Sequence, residues 1–414
     1  MRRTPSSGRC GEPPDTGWKK GAVLFLASQN ISLFGSEVVG FTILWHVTLA
    51  TSSGKWMMWT ILCLMLPQVA ISLHAGVWAD RYDRKRIIVL SDAFIAAVTL
   101  VLFGAFFAGC GSLELLLAAG TLRSLGGGIQ APAVSAFLPQ IVPKEQLTKI
   151  NGINQALRSL FSFLAPAFGG ILLGFAGITW AFLLDVVTAA AAIAILLSIE
   201  ADRLPPREAR SVFGFLRELR EGIVFTLSHP VLKYLVLCYG VSFFLISPAA
   251  FLTPVMIERT FGNEVWRLTA NELVWAAGSF GGGFFVASRG KFADKVRTIS
   301  YSLIAFGVLF GLLGMSRTFI FYLSVMGCAG FFVPILMTAE TVLIQEKVEN
   351  AMMGRVFSII QLISGGAMPL GMIVFGPLAD WTSIESILTV TGILLALVGM
   401  MYGRLAKEQT APPA

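Results

Sequence analysis

The sequence predicts an all-α polytopic membrane protein, with about twelve transmembrane helices in two six-helix pseudo-repeats. The first observation is composition: the 414 residues are 55% hydrophobic and 13% charged, with a mean hydropathy of +0.76. Soluble domains carry about 25% charged residues. The second is the length of the apolar runs, which approach the ~20 residues a helix needs to cross hydrocarbon. Only helices and closed barrels satisfy their backbone polar groups there, and a barrel would alternate polar and apolar residues over segments of about ten. The third is the longest polar gap, around 199–230, which splits the runs six and six.

In chain order the runs fall at roughly 21–49, 56–78, 87–108, 112–138, 150–174, 177–198, 231–257, 269–288, 298–315, 318–341, 355–378 and 384–403. Residues 1–20 form a basic tail rich in Gly and Pro. The run after it is too long for a signal-peptide core, so it is expected to be a retained first span. Residues 21–198 then form the first half, 199–230 a linker, 231–404 the second half and 405–414 a tail. Within the linker, "FGFLRELREGIVFTL" (213–227) alternates apolar and charged residues like an interfacial amphipathic helix.

Lys and Arg give the orientation. With both termini cytoplasmic, the inside segments hold 24 of the 31 basic residues; the outside segments hold Lys55, Arg259, Arg267 and Arg317. This bias places both termini and the linker in the cytoplasm. It also accounts for a pI near 9.3 without a nucleic-acid partner. The five cysteines are scattered singly, and His46, His74 and His229 share no metal spacing. No disulfide framework, metal site or cofactor is expected.

The halves echo each other. Gly76, Ala79, Asp80 and Arg81 after the second run match Gly290, Ala293, Asp294 and Lys295 after the eighth, 214 residues later. "QIVPKEQLTKINGINQ" matches "EKVENAMMGRVFSIIQ" at an offset of 206. Parallel halves meeting at a midplane site are the architecture of a secondary transporter.

"GVWADRYDRKR" packs six charges into the seven positions 80–86, between two apolar runs. With Gly76, Asp80, Arg81, Arg84 and Lys85 it resembles the helix 2–3 loop of the major facilitator superfamily. Asp83 stands where the general pattern has glycine, a variant similar to the macrolide-efflux branch. "RSLGGG", beginning at Arg123, resembles the family's buried helix 4 arginine. "APAFGG", with Pro166, Gly169 and Gly170, resembles the end of the exporter-type helix 5 motif, and Gly152 lies at the expected distance upstream. Phe161 and Ala165 replace two of that motif's glycines. The resemblance covers essentially the whole chain and implies a drug exporter working by alternating access. It also implies that the 76–86 loop, and its copy at Gly290, Asp294 and Lys295, is a conformational latch. A carboxylate such as Asp80 can cap a helix N-terminus, worth roughly 0.3–1 kcal/mol. A merely positive-inside loop is the alternative.

Glu37 lies near the middle of the first run, where a charge costs at least about 2.5 kcal/mol. At helical spacing its face includes Asn30, Phe34, Phe41 and Trp45. A carboxylate framed by an amide and aromatics suits a lipophilic, often cationic, substrate and can carry a proton. Arg123 is the expected partner of Glu37, with Gln130 two turns on; a purely structural Glu37–Arg123 pair is the alternative. Asp185 is expected to pack, with Arg158 as its partner, and Glu340 to anchor the inner end of the tenth run.

These features predict a proton-coupled exporter of small amphipathic compounds, multi-pass and monomeric in the cell membrane. Its partners are protons, a small-molecule substrate and the bilayer. Export of an endogenous metabolite such as a siderophore, or lysolipid flipping, are the rivals within transport. Outside it, a membrane-embedded enzyme would need a convergent cluster of His, Cys or carboxylates, which the sequence does not display. A transport-dead sensor would have no need of an intact loop or of Glu37.

Overall fold

The computed structural model of the chain describes residues 17–199 and 222–408. Twelve helices of 20 or more residues run through them. The first half has α1 (Gly17–Thr51), α2 (Gly54–Arg81), α3 (Arg84–Phe107), α4 (Leu113–Ile141), α5 (Leu147–Ile171) and α6 (Ile178–Leu197). The second has α7 (Pro230–Phe251), a short continuation α8 (Thr253–Phe261), then α9 (Val265–Arg289), α10 (Lys295–Gly314), α11 (Phe319–Lys347), α12 (Asn350–Trp381) and α13 (Ile384–Glu408). Among the described residues, ten stretches are long and apolar enough to cross a membrane. The two long helices outside that set, α4 and α9, carry glycine runs and polar groups such as Arg123, Gln130, Asn271 and Glu272, of which Arg123 and Asn271 are buried. Of the expected amphipathic segment, residues 222–228 are helical and 213–221 lie outside the described residues, as do both expected tails beyond 17 and 408.

Short polar caps start many of these helices. The side chains of Ser53, Asp83, Ser112, Asp294 and Thr318 each accept from a backbone N–H in the first turn of the following helix. Gly290 ends α9 in the left-handed region at φ 71°, where a side chain would be strained.

The caps also fix the repeat. Asp83 and Asp294 open α3 and α10, 211 residues apart, while Ser112 and Thr318 open α4 and α11, 206 apart. Packing agrees. In the first half α1 packs on α5 and α6, α2 on α4, and α3 on α4 and α6; in the second, α7 packs on α12 and α13, α9 on α11, and α10 on α11 and α13. Every pair has its counterpart. The expected match of Asp80 with Asp294 is therefore three residues out of register. Asp294 corresponds to Asp83, and each forms an ion pair with the arginine three residues on, Arg297 at 3.0 Å and Arg86 at 3.7 Å. The shared string "AD" misled because a cap is set by where the helix begins, not by the run before it.

Between the halves, α2 packs on α12 and α5 on α9. An apolar cluster spans both, including Trp45 and Met57 of the first half and Leu252, Val255 and Phe375 of the second.

Candidate functional site

Each half encloses a cavity, and a polar clasp joins the halves at the distal end, where α1 and α12 finish and α2 begins. The first-half cavity, about 310 Å³, is lined by Asn30, Gln68, Arg123, Gln130, Asn154 and Arg158 among others. Helix α1 presents to it the stripe of Ser32, Ser36 and Gly40. The expected partners do not meet here. Arg123, 8% exposed, pairs with Asp185 of α6, which is 1% exposed; Thr99 (2.8 Å) and Ser36 (3.2 Å) also donate to that carboxylate. Asp185 is thus the buried counter-charge of Arg123, and not a partner of Arg158. Beside it, Asp92 accepts from Ser32 at 2.7 Å and from Gln130 at 2.8 Å, and its second oxygen is buried without a partner. Asn30 donates to Asn154 at 3.1 Å.

Glu37 lies on the face of α1 toward α5. It accepts from Ser162 at 2.8 Å, Arg158 lies one turn before Ser162 on α5, and its second oxygen is buried without a partner. Phe34 packs on Phe161 and Phe168, Phe41 on Trp45, and Trp45 is fully buried. Asn30, Arg123 and Gln130 line the first-half cavity, whereas Glu37, Phe34, Phe41 and Trp45 belong to the helix packing around it. Helical period groups residues into a stripe; it does not say which neighbour the stripe meets.

The second-half cavity, about 240 Å³, is apolar except for a few groups. Its carboxylates are Glu272 of α9 and Glu340 of α11. Glu340 is 4% exposed and accepts from the Tyr239 hydroxyl, so it is no interfacial anchor. Glu272 accepts from Asn271 at 3.1 Å, and Asn271 in turn accepts from Tyr322 at 2.9 Å. Sequence reasoning missed Glu272 and Asp92; an acidic residue inside each long apolar run was the signal available for both.

The distal clasp centres on Asp380, at the end of α12. Its carboxylate accepts from Ser53 Oγ (2.8 Å) and from the backbone N–H groups of Gly54 (2.7 Å) and Lys55 (3.1 Å), so the second half caps α2 of the first. Arg259 pairs with Asp380 at 3.1 Å and donates to the carbonyls of Ser52 (2.9 Å, through Nε) and Ala379 (2.6 Å). Ser52, held at φ 47°, also donates to Glu258. Two glycines permit this approach: a Cβ on Gly54 would lie 2.2 Å from the Gly376 carbonyl, and one on Gly170 would lie 2.0 Å from Thr269 Oγ1. Gly169 and Pro166 are buried beside Gly170, while Gly152 is exposed.

At the opposite end, Arg84 donates to the carbonyls of Ala79 and Ala136 (both 2.9 Å), and Lys85 to those of Leu197 (3.0 Å) and Ile199 (2.7 Å). These cations serve the C-terminal ends of α2, α4 and α6, within one half. Lys295 pairs with Glu346 at 2.9 Å, within the other. Arg81 is exposed and Gly76 half-buried; Asp80 lies in the last turn of α2, its side chain outside the described residues.

Matched helix sets, each holding a cavity and clasped at one end, define a membrane transporter. The chain belongs to the Major Facilitator Superfamily, whose sequence model matches residues 25–372. It is 28% identical over 386 residues to macrolide efflux protein A of Streptococcus pyogenes, covering 93% of this chain and 95% of that one. It is 24% identical to the enterobactin exporter EntS of Citrobacter koseri over 94% and 93% of the two chains. Its fold matches the crystal structure of a bacterial homologue of the iron transporter ferroportin in an inward-facing state, with a TM-score of 0.70 at 15% identity over 93% of this chain and 99% of that one.

Proposed function

We propose that the protein is a proton-coupled exporter of small amphipathic compounds, cycling as a monomer in the cell membrane with both termini cytoplasmic. The observation that carries this reading is the distal clasp: hydrogen bonds from Ser53, Gly54 and Lys55 to Asp380, and from Arg259 to Ser52, tie the two matched halves together at one end, an arrangement that breaks and reforms as the halves rock. The distal end then faces outward, and the cavities below it load from the cytoplasm. The relative named for macrolide efflux supports export of bulky amphipathic compounds.

Glu37 is the proposed proton carrier, with Arg158 in place of Arg123 as its basic neighbour. The proximal loops around Arg84, Lys85 and Lys295 stiffen each half, so that rocking moves it as a body. The test is uptake of a labelled macrolide into everted vesicles under an imposed proton gradient. Accumulation that an uncoupler abolishes, and that Glu37→Gln removes while binding persists, is expected. Accumulation indifferent to the gradient would refute the coupling.

A further inference from the structure

The second-half cavity holds two acids and nothing to balance them. Each carboxylate uses one oxygen on the protein, Glu340 through Tyr239 and Glu272 through Asn271; the other oxygen of each has no hydrogen-bond partner among the described residues. No Lys, Arg or His is among the residues that line the cavity. A carboxylate in such surroundings is ionised only against a counter-charge and is otherwise protonated; for the ionised form the counter-charge comes from outside the protein, since the lining holds no basic group.

The wall says which cation fits. The rings of Tyr239 and Phe243 stack at 5.2 Å, and Trp275, Met326 and Met337 complete an aromatic and thioether surface. Hard metal cations need six or more oxygens, far more than this wall offers. Alkylated ammonium groups are weakly hydrated and are attracted to ring faces. The volume of about 240 Å³ is below the ~300–1,000 Å³ of pockets that enclose whole ligands. It suits one end of a larger compound.

We infer that the second-half cavity is an organic-cation subsite, which takes the ammonium end of an amphipathic compound against Glu272 and Glu340, with Tyr239, Phe243 and Trp275 around it. This rests on the reading of the protein as an exporter of such compounds, and it assigns the recognition of charge to the half opposite Glu37. Uptake of protons at the same two acids would release the cation without a separate gate.

Equilibrium binding of radiolabelled benzyltrimethylammonium, a permanent cation, to the purified full-length protein in detergent tests the inference. Glu272→Gln and Glu340→Gln should each weaken binding by roughly tenfold or more, and Glu114→Gln, on an exposed helix start, should leave it unchanged. Cys238 lines the same cavity. In a chain whose other four cysteines are serine, the bound cation should slow its reaction with a small methanethiosulfonate, a readout that needs no carboxylate variant to fold. Absent binding, binding that survives the double Gln variant, or an unprotected Cys238 would each overturn the subsite. Vesicle uptake of the labelled macrolide separates the two claims: cation binding without gradient-driven uptake sinks the exporter reading and leaves the subsite standing.

Discussion

In the first half Asp92, Arg123 and Asp185 are buried together; at the corresponding positions, 211 or 206 residues on, the second half has Leu303, Ala329 and Thr391. Conversely, Glu272 and Glu340 of the second half correspond to Ile61 and Val134 of the first. The main packing partners of the helices are the same in both. The difference teaches that packing and charge are separable here. Helix contacts are conserved between the halves by shape, while each half uses its buried charges differently, one as an internal ion pair and the other as acids facing a cavity.

The largest expected effect tests the internal pair. Arg123→Ala leaves Asp185 buried without its counter-charge, a change that costs about 3–5 kcal/mol. Thermal unfolding in detergent should show this loss, and Arg123→Ala/Asp185→Ala should recover part of it. Glu340→Gln should cost far less by the same assay, because its acid has no buried ion partner to strand. Equal losses in the two halves would erase the distinction.

Next in size is the contact between the halves at Gly170. A leucine there collides with Thr269, and overpacking of this kind costs about 1–3 kcal/mol. The distal end should then open, measured as lost cross-linking between cysteines at the ends of α5 and α9. Unchanged cross-linking would mean that this approach is dispensable.

Asp380→Ala removes the cap that the second half places on α2 of the first, worth about 1 kcal/mol. This should shift the closed-to-open ratio by roughly fivefold, read as faster labelling of a cysteine at position 52. Arg259→Ala should act in the same direction, since both side chains hold the Ser52 turn.

The smallest effect sharpens the register of the repeat. Asp83→Ala and Asp294→Ala remove equivalent caps and should each cost ~1 kcal/mol, nearly equally, in thermal unfolding. A large inequality would show that one of them does more than start its helix.

Composition and run length by themselves determined that the chain is a helical membrane protein of two six-helix halves, because hydrocarbon admits few backbone solutions and rewards continuous apolar runs. The loop around Asp80, Arg84 and Lys85, together with the stretches at Arg123 and at 166–170, was enough to show the resemblance to its family. The partners of its buried charges were decided only in three dimensions. Arg123 pairs with Asp185, 62 residues on, and not with Glu37, since a stripe of residues on a helix carries no record of the helix it will meet. The register of the repeat was settled by helix caps, and the clasp by Asp380 reaching across 326 residues to the N–H of Gly54. Glu340 showed its place only once α7 and α11 closed a cavity around it, because burial belongs to the packed bundle and an isolated run cannot display it.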